Sequence, residues 1–193
     1  MAVAGKLIHG AHTTSTSGGY LLPLDEREVI TNACFLRMFV ALEEFTEAAF
    51  LHYAMGRMST ARWRPSKYMR PSSEDHANRM LIGTQRFVDW STPDVVRKLA
   101  KLYFQTGDPF EGPFASANQQ LLDMKTVRNA TAHLSRTTQA SLDALQTRWT
   151  GVPSAGSSAY VMLLSPNVVS GDSFLTASET TLNAIVTAVA TRT

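Results

Sequence analysis

Arg128, Asn129 and His133 stand close together in the stretch Asp123-Met-Lys-Thr-Val-Arg-Asn-Ala-Thr-Ala-His133, and their types suit one kind of chemistry. A guanidinium stays charged and grips phosphate oxygens in a bidentate fork. An unperturbed imidazole titrates at about 6.5, so a substantial fraction is neutral and basic at physiological pH. If the target is RNA, the two together supply what cleavage needs: a base to draw the proton from a 2′-hydroxyl and a cation to stabilise charge on a phosphorane-like transition state. The Asn129 amide can orient either the base or the phosphate. The chain shows no compact Asp/Glu/His cluster of the kind a two-metal nuclease uses, so metal-free transesterification is the economical mechanism and no cofactor is expected. A purely structural role is the alternative: Arg128 and His133 would complement a helix dipole near its C-terminus, worth roughly 0.3–1 kcal/mol each.

The element that must position these groups is a helix, expected from about Ser116 to Leu134, with Leu121, Leu122, Met124 and Val127 as its apolar lead-in. At about 100° per residue, Asn129 and His133 lie roughly 40° apart on one face, while Arg128 and His133 lie roughly 140° apart and flank a groove. Small residues at Ala130, Thr131 and Ala132 suit close helix-to-helix approach.

Arg128-Asn129, three residues and then His133, inside Val-Arg-Asn-Ala-Thr-Ala-His-Leu, resembles the signature of the HEPN superfamily, and most of all its RiboL-PSP-HEPN branch. The likeness is sharp over about a dozen residues and architectural elsewhere. It implies an all-α, antiparallel helical bundle of about five to six helices. It also implies a metal-independent endoribonuclease that yields a 2′,3′-cyclic phosphate, acting as a toxin or defence effector. The family commonly pairs two motif helices about a two-fold axis, which implies a homodimer through this helix. A nucleotidyltransferase-like antitoxin or another defence-system partner is implied as well. Two readings compete with the nuclease: a non-catalytic HEPN-type module that binds RNA or nucleotides, and a helical interaction module with no nucleic-acid role.

A second cluster lies in Arg57-Met-Ser-Thr-Ala-Arg-Trp-Arg-Pro-Ser-Lys-Tyr-Met-Arg70, where Arg57, Arg62, Arg64, Lys67 and Arg70 alternate with Trp63 and Tyr68. Cations neutralise phosphates and aromatic rings stack on unpaired bases, so the pattern fits single-stranded RNA. It equally fits an interhelical loop whose two rings plug the edge of the core.

The remaining elements follow from periodicity and punctuation. Residues 1–24 are rich in Gly, Ser and Thr and read as a flexible arm with a short extended piece; His9 and His12 within it lack a third metal ligand and read as solvated. The rest, 25–193, reads as a single helical domain. Asp25 caps a scaffold helix to about Met58, whose polar face carries Glu43, Glu44 and Glu47; one of these carboxylates can orient Arg128 or His133 from across the bundle. Further helices are expected from Ser73 to about Trp90, with Gly83 as a weak point, and from Thr92 to Thr106, Thr138 to Trp149 and Phe174 to Thr191. Gly151–Ser158 reads as a linker, and the apolar run Tyr160–Leu164 has no assignment.

Composition excludes little but excludes it firmly. A formal charge of +2 neither demands nor forbids nucleic acid, and 44% hydrophobic residues argue against disorder. The lone Cys34 rules out an intramolecular disulfide and a cysteine-based metal centre, as expected of a reducing compartment. There is no apolar run long enough for a membrane span and no secretory leader pattern, so a cytoplasmic protein is expected.

Overall fold

The computed structural model describes residues 2–83, 87–133 and 135–192. Among these residues it is built from nine helices with three isolated bridges and no strand, so the all-α expectation holds at the level of fold class. The chain divides into two compact units. One comprises Met1–Ala41 with Asp123–Glu179, the other Leu42–Leu122 with Thr180–Thr193.

The first unit opens with a correction. Residues 1–24 are not simply a flexible arm: Ala2–Ala11 forms α1. Ala4, Ile8 and Ala11 recur at helical spacing and are all buried, a stripe that the surrounding Gly and Thr residues obscure in the sequence. Beyond it the chain turns back on itself, with Thr14 bridging Tyr20 and Ser15 N–H donating to Gly19 O at 2.7 Å, which matches the short extended piece. α2 spans Leu24–Ala54 and its first half belongs to this unit. Asp25 lies inside its first turn rather than capping it, where its charge still favours the positive end of the helix dipole.

Two further helices complete the core of this unit. α7 (Arg136–Thr150) starts earlier than expected because Ser135 and Thr138 form a reciprocal capping box, and it ends at Gly151 with φ 74°, the left-handed conformation glycine tolerates best. α8 (Ala159–Leu164) resolves the unassigned apolar run: Ser158 accepts from Val161 N–H and starts a helix that buries Tyr160, Met162 and Leu163. The linker between them is held by Asp143, whose carboxylate accepts from Gly156 N–H and Ser157 N–H at 3.1 and 2.9 Å. Trp149 packs edge-on against Phe174 at 5.0 Å and donates its indole N–H to Ser165 O at 2.9 Å.

The second unit is organised around Phe50 on the C-terminal half of α2. Its ring lies 5.0–5.5 Å from those of Trp90, Tyr103, Phe104 and Phe110, a cluster whose edge-on and tilted pairs add to the burial term. α3 (Glu74–Ile82) is capped by Ser73 but stops at Gly83, well short of Trp90. The part of that expected helix on Thr84, Gln85 and Arg86 lies outside the described residues. Asp89 instead collects the hydroxyls of Ser91 and Thr92, which prepares the start of α4 (Pro93–Tyr103) with proline in its first turn. α5 (Glu111–Ser116) follows, tied to α4 because Glu111 accepts from Arg97 at 2.9 Å and from Lys101 at 3.0 Å. α6 (Asn118–Ala132) and α9 (Phe174–Ala190) each run from one unit into the other.

Candidate functional site

α6 buries Leu121, Met124, Val127 and Ala130, a strip at three-residue spacing. That strip leaves Arg128 and Asn129 half-buried beside it and Ala132 and His133 exposed at the end. All the motif residues fall in the first unit. Arg128 Nη1 donates to Asn129 Oδ1 at 3.2 Å, so the amide oxygen holds the guanidinium. The His133 backbone N–H donates to Asn129 O at 2.8 Å, which extends the helical hydrogen bonding one residue past Ala132. Its own carbonyl accepts from Thr138 Oγ1 at 2.8 Å, fixing the step into α7.

No hydrogen bond reaches the His133 imidazole among the described residues, so the ring is exposed and chemically open. The structure therefore joins Arg128 to Asn129 directly and places His133 one turn further on. Thr131 Oγ1 donates to Val127 O at 2.9 Å and plays no part in the site. Leu134, the last residue of the expected motif helix, lies outside the described residues. Glu43, Glu44 and Glu47 are on the stretch of α2 that belongs to the second unit, Glu43 half-buried and the others exposed.

The basic stretch after α2 is a built loop rather than a loose connection. Ser59 N–H donates to Trp63 O at 2.6 Å and Thr60 N–H to Ala190 O at 3.0 Å, pinning a turn onto the end of α9. Lys67 Nζ donates to Ala54 O at the end of α2, a capping role that removes it from the free cations. Burial and the neighbouring Arg70 charge hold its pKa below the usual lysine value.

Arg57 pairs with Glu74 at 2.6 Å. Arg62, Arg64 and Arg70 are exposed, and among the described residues no carboxylate pairs with them. The two rings divide: Trp63 is half-buried against Tyr53 (6.3 Å) with the Arg192 guanidinium 5.7 Å from its centre, while Tyr68 is 62% exposed. Arg62 has φ 62°, the single non-glycine residue with positive φ among those described.

Sequence reasoning missed His12. It is not solvated: Nε2 lies 3.0 Å from the Oγ1 of buried Thr31, and the ring stacks on Tyr160 at 5.9 Å. Arg27 lies over the Tyr20 ring at 3.7 Å in the same cluster. Burial, and then the Arg27 charge, lower the His12 pKa below its ordinary value. The only signal in the sequence was the one-turn spacing of His12 from Ile8, in line with the buried stripe of α1.

Among the described residues no group of three or more His, Cys, Asp or Glu is placed to hold a metal ion, and no helix is long and apolar enough to cross a membrane. Compared with known proteins, the chain matches no family model, no curated protein and no solved structure.

Proposed function

We propose that the protein is a HEPN-type, metal-independent endoribonuclease with Arg128, Asn129 and His133 as its catalytic residues. The observation that carries this reading is the Arg128 guanidinium held on Asn129 at the end of α6, one turn from an exposed imidazole without a hydrogen-bond partner among the described residues. A cation for a phosphate and a base for a hydroxyl thus share one end of one helix.

In the reaction, His133 takes the proton of a ribose 2′-hydroxyl, the 2′-oxygen bonds to phosphorus and the P–O5′ bond breaks. The leaving 5′-oxygen takes a proton from water, the hydroxide so formed takes the proton from His133, and the products are a 2′,3′-cyclic phosphate and a 5′-hydroxyl end. Arg128 neutralises the extra negative charge on the phosphoryl oxygens as it forms. The small residues at the end of α6 and the exposure of His133 suit a second motif helix alongside, so the active form is a homodimer, acting in the cytoplasm as a toxin or defence effector restrained by a partner protein.

Incubating a labelled RNA with the protein in EDTA tests the reading. Cyclic-phosphate products from wild type and none from His133→Ala are expected. Cleavage that survives His133→Ala, or that requires added metal, overturns it.

A further inference from the structure

The basic loop of the second unit has two unlike faces. From Arg62 to Tyr68 burial alternates residue by residue: Trp63 and Lys67 are half-buried and Pro65 is buried, while Arg62, Arg64, Ser66 and Tyr68 are exposed. Period-two alternation belongs to extended backbone, and a short antiparallel pairing holds it here. Lys67 bridges Phe104, Tyr68 N–H donates to Tyr103 O at 2.9 Å and Gln105 N–H donates to Ser66 O at 2.9 Å. The inner residues are fixed as well, Trp63 against Tyr53 and Lys67 on Ala54 O, so the exposed ones stand on a braced segment.

The exposed face is cationic and lacks local neutralisation. No Asp or Glu lies between Glu47 and Glu74 in the sequence, and the two acids that follow are engaged, Glu74 with Arg57 and Asp75 with Arg79. Arg62, Arg64 and, past Tyr68, Arg70 make no ion pair among the described residues. Arg62 is held at φ 62°, where glycine would sit without strain. Such strain persists only where surrounding structure over-determines it; here the Ser59–Trp63 and Arg62–Ser59 hydrogen bonds do so, and the residue they hold is a cation. The Tyr68 ring is 62% exposed and tethered by its edge, its hydroxyl 3.3 Å from Gln105 O. No aromatic ring or guanidinium stacks on its faces among the described residues.

We propose that this face of residues 62–70 binds single-stranded RNA, with phosphates on Arg62 and Arg64 and one unpaired base stacked on Tyr68. A single strand offers both things the face is built to take, a charged backbone and an open π-surface, and stacking on one ring tolerates any base. An acidic polypeptide would use the cations but has no call for the tethered, uncovered ring. Of the two aromatic residues in the loop, the structure thus assigns stacking to Tyr68 and leaves Trp63 to the core edge. The surface lies wholly within the second unit, whereas Arg128, Asn129 and His133 belong to the first. It rests on the ribonuclease reading only for the nucleic acid being RNA.

The test is fluorescence anisotropy with a short 2′-O-methyl oligouridylate, which cannot be cleaved, and an abasic oligonucleotide with the same number of phosphates. Wild type should bind the base-bearing strand about fivefold or more tightly than the abasic one. Tyr68→Ala should remove that preference while leaving affinity for the abasic strand unchanged, and Tyr68→Phe, which keeps the ring, should restore it. Arg62→Gln with Arg64→Gln should weaken both strands alike. Circular dichroism matching wild type qualifies each variant, and Tyr68→Leu replaces Tyr68→Ala if the smaller side chain disturbs folding. Equal affinity of wild type for the two strands, a preference that survives loss of the Tyr68 ring, or displacement of the oligouridylate by polyglutamate as readily as by unlabelled strand would overturn the surface. Because the strands are uncleavable, failure here leaves cleavage by His133 standing, and absence of cleavage with intact Tyr68-dependent binding condemns only the nuclease.

Discussion

The end of α6 and the loop from Arg57 to Arg70 are both rich in polar, chemistry-bearing side chains, yet they are held in opposite ways. Arg128, Asn129 and His133 are arranged by bonds to immediate neighbours and to the next helix turn. The loop is arranged from a distance: Lys67 reaches back to Ala54, the Tyr68 hydroxyl lies 3.3 Å from Gln105 O, and Thr60 bonds Ala190 near the other end of the chain. On the proposed reading, the difference separates the reacting groups from the scaffold. A group held only by its own helix can be truncated without loosening the fold, whereas a side chain that staples distant segments cannot.

The sharpest way to break this contrast is at the motif. Arg128→Ala and His133→Ala are each expected to reduce RNA cleavage by about 10²–10⁴-fold, with far-UV circular dichroism and thermal midpoint close to wild type, since one residue is half-buried and the other exposed. Asn129→Ala should lose less, because it positions the guanidinium rather than contributing charge. Unfolding of both alanine variants would make the motif structural and remove the contrast.

Trp63→Ala should show the reverse pattern. Truncating a fully buried large aromatic costs roughly 3–5 kcal/mol, so a half-buried Trp63 against Tyr53 should cost about 1.5–3 kcal/mol in chemical denaturation, with a smaller effect on RNA affinity per folded molecule. A variant of full stability that binds RNA poorly would instead make Trp63 a stacking platform.

The cations of the loop sharpen the comparison further. Replacing Arg62, Arg64 and Arg70 by Gln should flatten the salt dependence of RNA binding by roughly 0.7 in log–log slope for each phosphate that is no longer neutralised. Lys67→Met should instead lower stability, since Lys67 closes the end of α2. Arg62→Gly alone should raise stability by about 1 kcal/mol by relieving the left-handed strain while weakening RNA binding. An unchanged salt slope in the triple variant would leave the loop a scaffold with no grip on RNA.

The smallest expected effect concerns His12. Its folded pKa lies below the ordinary value of 6.5, so above pH 6.5 both states leave it neutral, and as pH falls below 6.5 the unfolded chain takes up the proton first. Stability of the first unit should therefore decline from pH 6.5 downward until the folded pKa is passed. The thermal midpoint should drop less between pH 7.5 and 5.5 in His12→Gln than in wild type; equal drops would show that His12 does not carry this dependence.

Local pattern was enough for much of this protein. The helical class, Gly83 as the weak point of α3, the start at Pro93 and the terminal helix from Phe174 were legible because caps, prolines and apolar periodicity act over a few residues. The bond from Arg128 to Asn129 was not legible, because the amide was expected to orient His133 or the phosphate. What the sequence could not carry were features whose cause lies far along the chain. α1 is a helix because Ala4, Ile8 and Ala11 are buried, an outcome that its glycines argue against locally. His12 became a half-buried, hydrogen-bonded histidine through Thr31 and Tyr160. Trp63 and Tyr68, equivalent in sequence, parted because only Trp63 meets Tyr53 and Arg192. Burial is a property of what a residue packs against, and tertiary structure alone decides that.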